Sequence, residues 1–161
     1  MCSSDLRRAN IQPGQTVIVL GSGLAGLLHI NLARALGAGR IVATDMVPDR
    51  LEAAMKLGAD HTFLATDDIP ARLREVNDDR LAELVIVCTG APPALQQGLD
   101  SVDRGGTVLF FAPTEPGVNI SVPVNDLFFR NDATLTTTYA GAPGDLATAL
   151  EMIASDRKSV V

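Results

Sequence analysis

The sequence predicts an α/β fold, a doubly wound parallel sheet of six strands in one domain. Three observations carry this. Apolar runs suited to buried strands alternate with helical stretches from about residue 12 onward, with no break in composition. The first of those runs ends on a glycine-rich turn that leads straight into a helix. The chain has 161 residues, 47% of them hydrophobic, with 14 Gly, 9 Pro and no Trp, enough for one core and too little for two.

Thr16–Leu20 is a β-branched apolar run, as expected of a strand covered on both faces. Leu24–Leu36 reads as a helix with Leu27, Leu28, Leu32, Ala35 and Leu36 on one side, and Gly37 ends it. Ile41–Thr44 is the second strand. Pro48 opens a helix that stops at Gly58, and His61–Leu64 is a short third strand. Asp67 or Asp68 caps the next helix before a fourth strand at Leu84–Val87. Pro92–Val102 is helical, Thr107–Phe111 and Thr134–Thr138 are the last two strands, and Pro143–Ala154 makes a helix through Leu146, Leu150 and Ile153. Helical crossovers between six strands give the order 3-2-1-4-5-6. Thr114–Arg130, with Pro116, Gly117 and Pro123, is read as a surface loop; the alternative is a short edge strand at Ile120–Val122, open to a second copy.

Charge and composition exclude several classes of partner. Lys and Arg number 13 against 19 Asp and Glu, a net charge of -6, so there is no basic footprint for nucleic acid. Every apolar stretch is interrupted well before the roughly 18 residues a membrane span needs. Cys2 and Cys88, with no secretory leader, fit a reducing cytoplasm and cannot by themselves build a structural zinc site. The ends stand apart: Met1–Leu6 and Asp156–Val161 resemble the translation of a sequencing adapter. They are expected to be foreign tails, 1–6 and 156–161, on a fragment whose domain is 7–155.

Gly21-Ser22-Gly23-Leu24-Ala25-Gly26 follows the first strand and opens the first helix. In that context Gly21 permits the tight turn, Gly23 lets backbone approach a pyrophosphate, and Gly26 lets the helix lie close to the sheet. The amides of Leu24 and Ala25 would point at the phosphates, where the helix dipole favours negative charge. Asp45, at the carboxyl end of the second strand, can accept both ribose hydroxyls of an adenosine and would repel a 2′-phosphate, which favours NAD over NADP. Arg50 is placed to reach the ribose from the other side. Cys88-Thr89-Gly90 and Phe111-Ala112-Pro113 end the fourth and fifth strands, where a nicotinamide ring would lie in such a fold.

The remaining reactive side chains read as structural. Cys88 has no base near it in sequence and is expected to be a small apolar residue. His29 lies within the first helix and His61 at the start of a strand, away from the strand ends where chemistry occurs. Tyr139 is followed four residues later by Pro143 and not by lysine, against a Tyr/Lys catalytic pair. No residue of this chain is assigned as catalytic or as a metal ligand.

Pro13-Gly14-Gln15-Thr16-Val17 running into GSGLAG, Leu36-Gly37-Ala38, Asp45, Arg50 and Leu57-Gly58-Ala59-Asp60 together resemble the coenzyme (Rossmann) domain of zinc-dependent medium-chain alcohol and polyol dehydrogenases. The resemblance spans about residues 7–155. It implies that Leu24 and Ala25 meet the pyrophosphate, Asp45 and Arg50 the ribose, and Thr89 with Phe111–Pro113 the nicotinamide. It further implies a parent oxidoreductase acting on a small alcohol or polyol with NAD, with its zinc ligands and proton relay in a catalytic domain absent from this chain. The fragment alone is expected to be inactive, and the parent a homodimer or homotetramer. Two other classes are weighed against this: a non-catalytic regulatory nucleotide-binding module, and an S-adenosylmethionine-dependent methyltransferase, which would usually end its sheet on an antiparallel strand.

Overall fold

The computed structural model describes residues 2–138, 143–144, 147 and 150–151. In chain order the elements are α1 (Cys2–Arg8), β1 (Thr16–Leu20), α2 (Leu24–Ala35), β2 (Arg40–Asp45), α3 (Pro48–Lys56), β3 (His61–Leu64) and α4 (Ile69–Val76). They continue with β4 (Ala82–Val87), α5 (Pro92–Asp100), β5 (Val102–Phe110), a π-helical segment (Asn125–Arg130) and β6 (Thr134–Thr137). The strands lie side by side as β3-β2-β1-β4-β5-β6, each pair parallel, which is the order the crossover pattern predicts. Among the described residues there is no antiparallel edge strand of the methyltransferase kind.

Successive side chains along a strand point to opposite faces, and that alternation divides the core. Val17 and Val19 of β1 join Ile41, Ala43, Leu84, Ile86 and Leu109 beneath Leu6 of α1, Ile30 and Ala33 of α2 and Ala54 of α3. Ile18 and Leu20 join Val42, Val85, Val87 and Val108 beneath Ile69 and Leu73 of α4 and Leu95 and Leu99 of α5. All five residues of β1 are buried, so each apolar side chain there contributes about 1.5–3 kcal/mol by leaving water. A central strand apolar on both faces requires helices above and below it, which is why the carboxyl ends of the strands are left as the open rim.

Local chemistry sets the helix ends. Pro48 and Pro92 begin α3 and α5, and the Asp68 carboxylate accepts the Ala71 amide at 3.1 Å, making Asp68 the cap of α4 in place of Asp67. The Leu-Gly-Ala-Asp stop of α3 has a structural purpose. Arg34 of α2 donates to the Gly58 carbonyl from Nε and Nη2, at 3.1 and 2.8 Å, and pairs with Asp60. Asp60 in turn accepts the Ile41 amide at 2.7 Å, so one carboxylate joins α2, α3 and β2.

Several expectations shift. β5 begins at Val102, ahead of the predicted Thr107, because a register shift between Ala82 and Leu84 of β4 absorbs the turn through Gly105. Val102 thereby belongs to the strand, and α5 stops at Asp100. Ile120–Val122 forms no strand, as the surface-loop reading expected, and its Ile120 and Val122 side chains rest on the α4–α5 face of the core. The π-helical segment, unanticipated, buries Leu127 and leaves Phe129 exposed. Residues set aside as a tail enter α1, where Leu6 is fully buried and Asp5 nearly so. Tyr139, most of the predicted last helix including Leu146 and Ile153, and the tail 156–161 lie outside the described residues. No helix among those described is long and apolar enough to cross a membrane.

Candidate functional site

The chain leaves β1 through Gly21, whose φ of +97° is a conformation that side chains with a Cβ rarely adopt. It re-enters regular structure at Leu24. A Cβ on Gly26 would lie 2.0 Å from the Gly21 carbonyl oxygen, so α2 can begin directly against its own turn only with bare backbone there. At Gly23 a Cβ would meet nothing within 4 Å, so the space over the turn is open.

The first turn of α2 is left unsatisfied. Its opening hydrogen bond runs from the Leu27 amide to the Gly23 carbonyl at 2.9 Å, and the amides of Leu24, Ala25 and Gly26 precede it. No side chain caps the helix and no acid sits in its first turn. Free amides together with the positive end of a helix dipole make this rim suited to an anion such as a phosphate.

Asp45 sits beside that turn and is fastened to it. Its Oδ2 accepts the Ser22 amide at 2.8 Å and its Oδ1 accepts the Val47 amide at 2.9 Å, while Arg50 Nη1 stands 3.6 Å from Oδ2. The sequence places a carboxylate at this strand end; the structure shows that it is 7% exposed and held by backbone on both oxygens. Each oxygen keeps a second lone pair, so the group can still accept hydroxyls from a ligand in the crevice. Arg50 is half-exposed and its guanidinium lies against the carboxylate. Ser22 was missed by the sequence reading. It is fully buried, its hydroxyl donates to the Thr44 carbonyl at 3.1 Å, and it welds the turn to β2.

At the far end of the rim the two other predicted segments converge. Cys88-Thr89-Gly90 leaves β4 and Phe111-Ala112-Pro113 leaves β5; the Cys88 amide is held by the Leu20 carbonyl and those of Phe111 and Ala112 by Val87. A Cβ on Gly90 would lie 2.3 Å from the Pro113 carbonyl oxygen, so the exits touch through glycine. A cavity of about 640 Å³ opens beside them, lined by Leu95, Phe111, Ala112, Pro113, Thr137 and Thr138 among others. Of the predicted site residues Phe111, Ala112 and Pro113 line it; the glycine turn, Asp45, Arg50 and Cys88-Thr89-Gly90 do not.

Tertiary structure also brings His29 to this place. Its Nδ1 donates to the Ala25 carbonyl at 2.8 Å and lies 3.6 Å from Cys88 Sγ, and its ring meets Phe111 edge-on at 4.8 Å between centroids. Because a carbonyl only accepts, Nδ1 carries its hydrogen and cannot take the thiol proton, which keeps Cys88 a small, half-buried neighbour and not an activated nucleophile. Burial lowers the His29 pKa, opposed by the Ala25 carbonyl and the Asp5 carboxylate. Nothing in local sequence pointed to these contacts; the only available signal was the placement of His29 one helical turn after Ala25.

A family model described as zinc-binding dehydrogenase matches residues 25–155. Sorbitol dehydrogenase of Bacillus subtilis is 37% identical over 118 residues, covering 72% of this chain and 33% of its own. Alcohol dehydrogenase TADH from Thermus sp. ATN1 superposes with a TM-score of 0.87 at 29% identity, over 97% of this chain and 45% of that one. A structure from Sinorhizobium meliloti 1021 described as a zinc-binding dehydrogenase bound to NADP gives a TM-score of 0.79 at 26% identity, over 86% of this chain and 41% of that one. The chain spans less than half the length of each of these relatives.

Proposed function

Because the chain belongs to the zinc-binding dehydrogenase family, we propose that it is the NAD-holding portion of an oxidoreductase that moves a hydride between a small alcohol or polyol and NAD. The observation that carries this reading is the Asp45 carboxylate fixed to the Ser22 amide, directly beside the uncapped first turn of α2. That arrangement presents anion donors and a diol acceptor side by side, as an adenosine diphosphate requires.

In this reading the Leu24 and Ala25 amides hold the pyrophosphate, Asp45 and Arg50 hold the ribose, and Thr89, Gly90 and Phe111–Pro113 wall the nicotinamide. NAD, when bound, supplies the acceptor for the hydride, and the protein supplies its orientation. A 2′-phosphate about 4 Å from Asp45 would be opposed by roughly 4 kcal/mol per unit of its charge at an effective dielectric near 20, reduced by Arg50, so NAD is preferred. The described residues do not fit a zinc site, since no three His, Cys, Asp or Glu side chains converge. Polarising the substrate oxygen would fall to parts of the parent protein beyond them.

The reading extends to the ends of the chain as foreign tails. The structure adds no support to this part of the reading: the nearly buried Asp5 carboxylate accepts the Thr138 hydroxyl and stands 3.5 Å from His29 Nε2, so the tail assignment rests on the terminal sequences alone. Coding DNA that departs from the adapter at both ends would remove this part of the reading.

Calorimetric titration of the 161-residue chain with NADH, NADPH and S-adenosylmethionine tests the function. NADH should bind, more tightly than NADPH; S-adenosylmethionine should not, and the chain alone should oxidise no alcohol. Binding of S-adenosylmethionine in preference to NADH would overturn the proposal. Sequence flanking the coding region, with cysteine, histidine and glutamate ligands upstream, would separate a dehydrogenase from a regulatory module.

A further inference from the structure

His29 touches three segments that the nucleotide reading assigns to different parts of one ligand. It is fully buried in α2. Its Nδ1 donates at 2.8 Å to the carbonyl of Ala25, whose amide is assigned to the pyrophosphate. The same atom stands 3.6 Å from Cys88 Sγ at the exit of β4. Its ring meets that of Phe111, at the exit of β5, with centroids 4.8 Å apart and planes at 71°.

Backbone hydrogen bonds fix how far β4 and β5 extend, through Leu20 and Val87. They do not fix where the side chains at the exits lie. A flat ring, anchored at one nitrogen and wedged between a thiol and an aromatic edge, does. Its other nitrogen, Nε2, faces the Asp5 carboxylate of α1 at 3.5 Å, so both ring nitrogens are directed at protein groups.

We propose that His29 is a positioning residue, holding the Cys88 and Phe111 side chains in register with the first turn of α2 and so setting the wall against which the nicotinamide ring lies. This rests on the dinucleotide reading above and adds to it a residue that contacts no ligand. A purely structural histidine would support the whole domain evenly. A positioning histidine at this place supports one end of the ligand.

Saturation-transfer NMR of the 161-residue chain with NAD resolves the two ends, because adenine and nicotinamide protons are read separately. In the unaltered chain both sets receive saturation. In His29→Ala the nicotinamide signal should fall by about threefold or more relative to adenine, with affinity for ADP-ribose within about twofold of the unaltered chain. His29→Asn, which keeps a donor for the Ala25 carbonyl but no ring for Phe111, should fall between them. It carries the comparison if circular dichroism shows His29→Ala unfolded. Equal loss at both ends, or an unchanged ratio, overturns the proposal. Absence of saturation from NAD in the unaltered chain would instead overturn the dinucleotide reading, and this inference with it.

Discussion

Asp45→Asn should destabilise the chain before any nucleotide is added. Asparagine preserves the shape of the side chain but turns one of its two terminal atoms into an NH₂ donor. Whichever way the amide is turned, that donor faces the Ser22 amide or the Val47 amide, which now sit 2.8 and 2.9 Å from carboxylate oxygens. One charge-assisted hydrogen bond is lost, worth about 1.5–3 kcal/mol, and a nearly buried backbone donor is left facing another donor. Loss of the Arg50 contact adds little, because that guanidinium is half in solvent. The expected cost is about 2–4 kcal/mol, read as a lower urea midpoint at unchanged m-value. The same substitution should weaken NADH and shift the NADH/NADPH preference toward NADPH, since the like-charge opposition is gone. Stability within about 0.5 kcal/mol of the unaltered chain would refute the reasoning, because the carboxylate could not then be what fastens the turn to β2.

Gly26→Ala puts a Cβ 2.0 Å from the Gly21 carbonyl oxygen, so α2 must lift off its turn; a loss of about 3 kcal/mol or more and of NADH binding is expected, and an unshifted melting temperature would contradict the packing. Asn77→Leu removes the partner of the Thr16 hydroxyl and Arg40, both at 2.8 Å, and of the Leu81 carbonyl at 2.7 Å. It should cost about 2–4 kcal/mol yet leave NADH affinity unchanged in the folded chain, because this network lies at the amino ends of the strands. Burial holds the folded His29 pKa below its ordinary 6.5, so the unfolded chain takes up a proton first as pH falls. The stability of the neutral, buried ring is therefore present above pH 6.5 and declines below it, until pH reaches the lowered folded value. The slope is at most about 1.4 kcal/mol per pH unit. Urea titrations at neutral and mildly acidic pH should show this slope reduced in His29→Asn; equal slopes would count against it.

Much of the fold was legible because its signals are local. Thr16–Leu20 is apolar on both faces, and only a central strand between helices satisfies that. Pro48, Pro92 and Asp68 mark helix starts through backbone geometry that needs no distant partner. The misses have a common cause. The start of β5 at Val102 depends on a register shift in β4, and the π-helical Asn125–Arg130 depends on burying Leu127 against the core. Neither pairing nor burial across such distances leaves a periodic trace.

The candidate site divides along the same line. The order of glycines after β1 and the acidic end of β2 follow from sequence alone, because a strand, a turn and a helix start are contiguous and each residue's task is set by its neighbours in the chain. Three-dimensional packing alone decided that Asp45 is clamped by the Ser22 and Val47 amides, that Gly90 meets Pro113, and that His29 reaches Cys88 and Phe111. Those contacts join residues from separate strands and helices, and their distances are fixed only when the two hydrophobic layers close around the sheet.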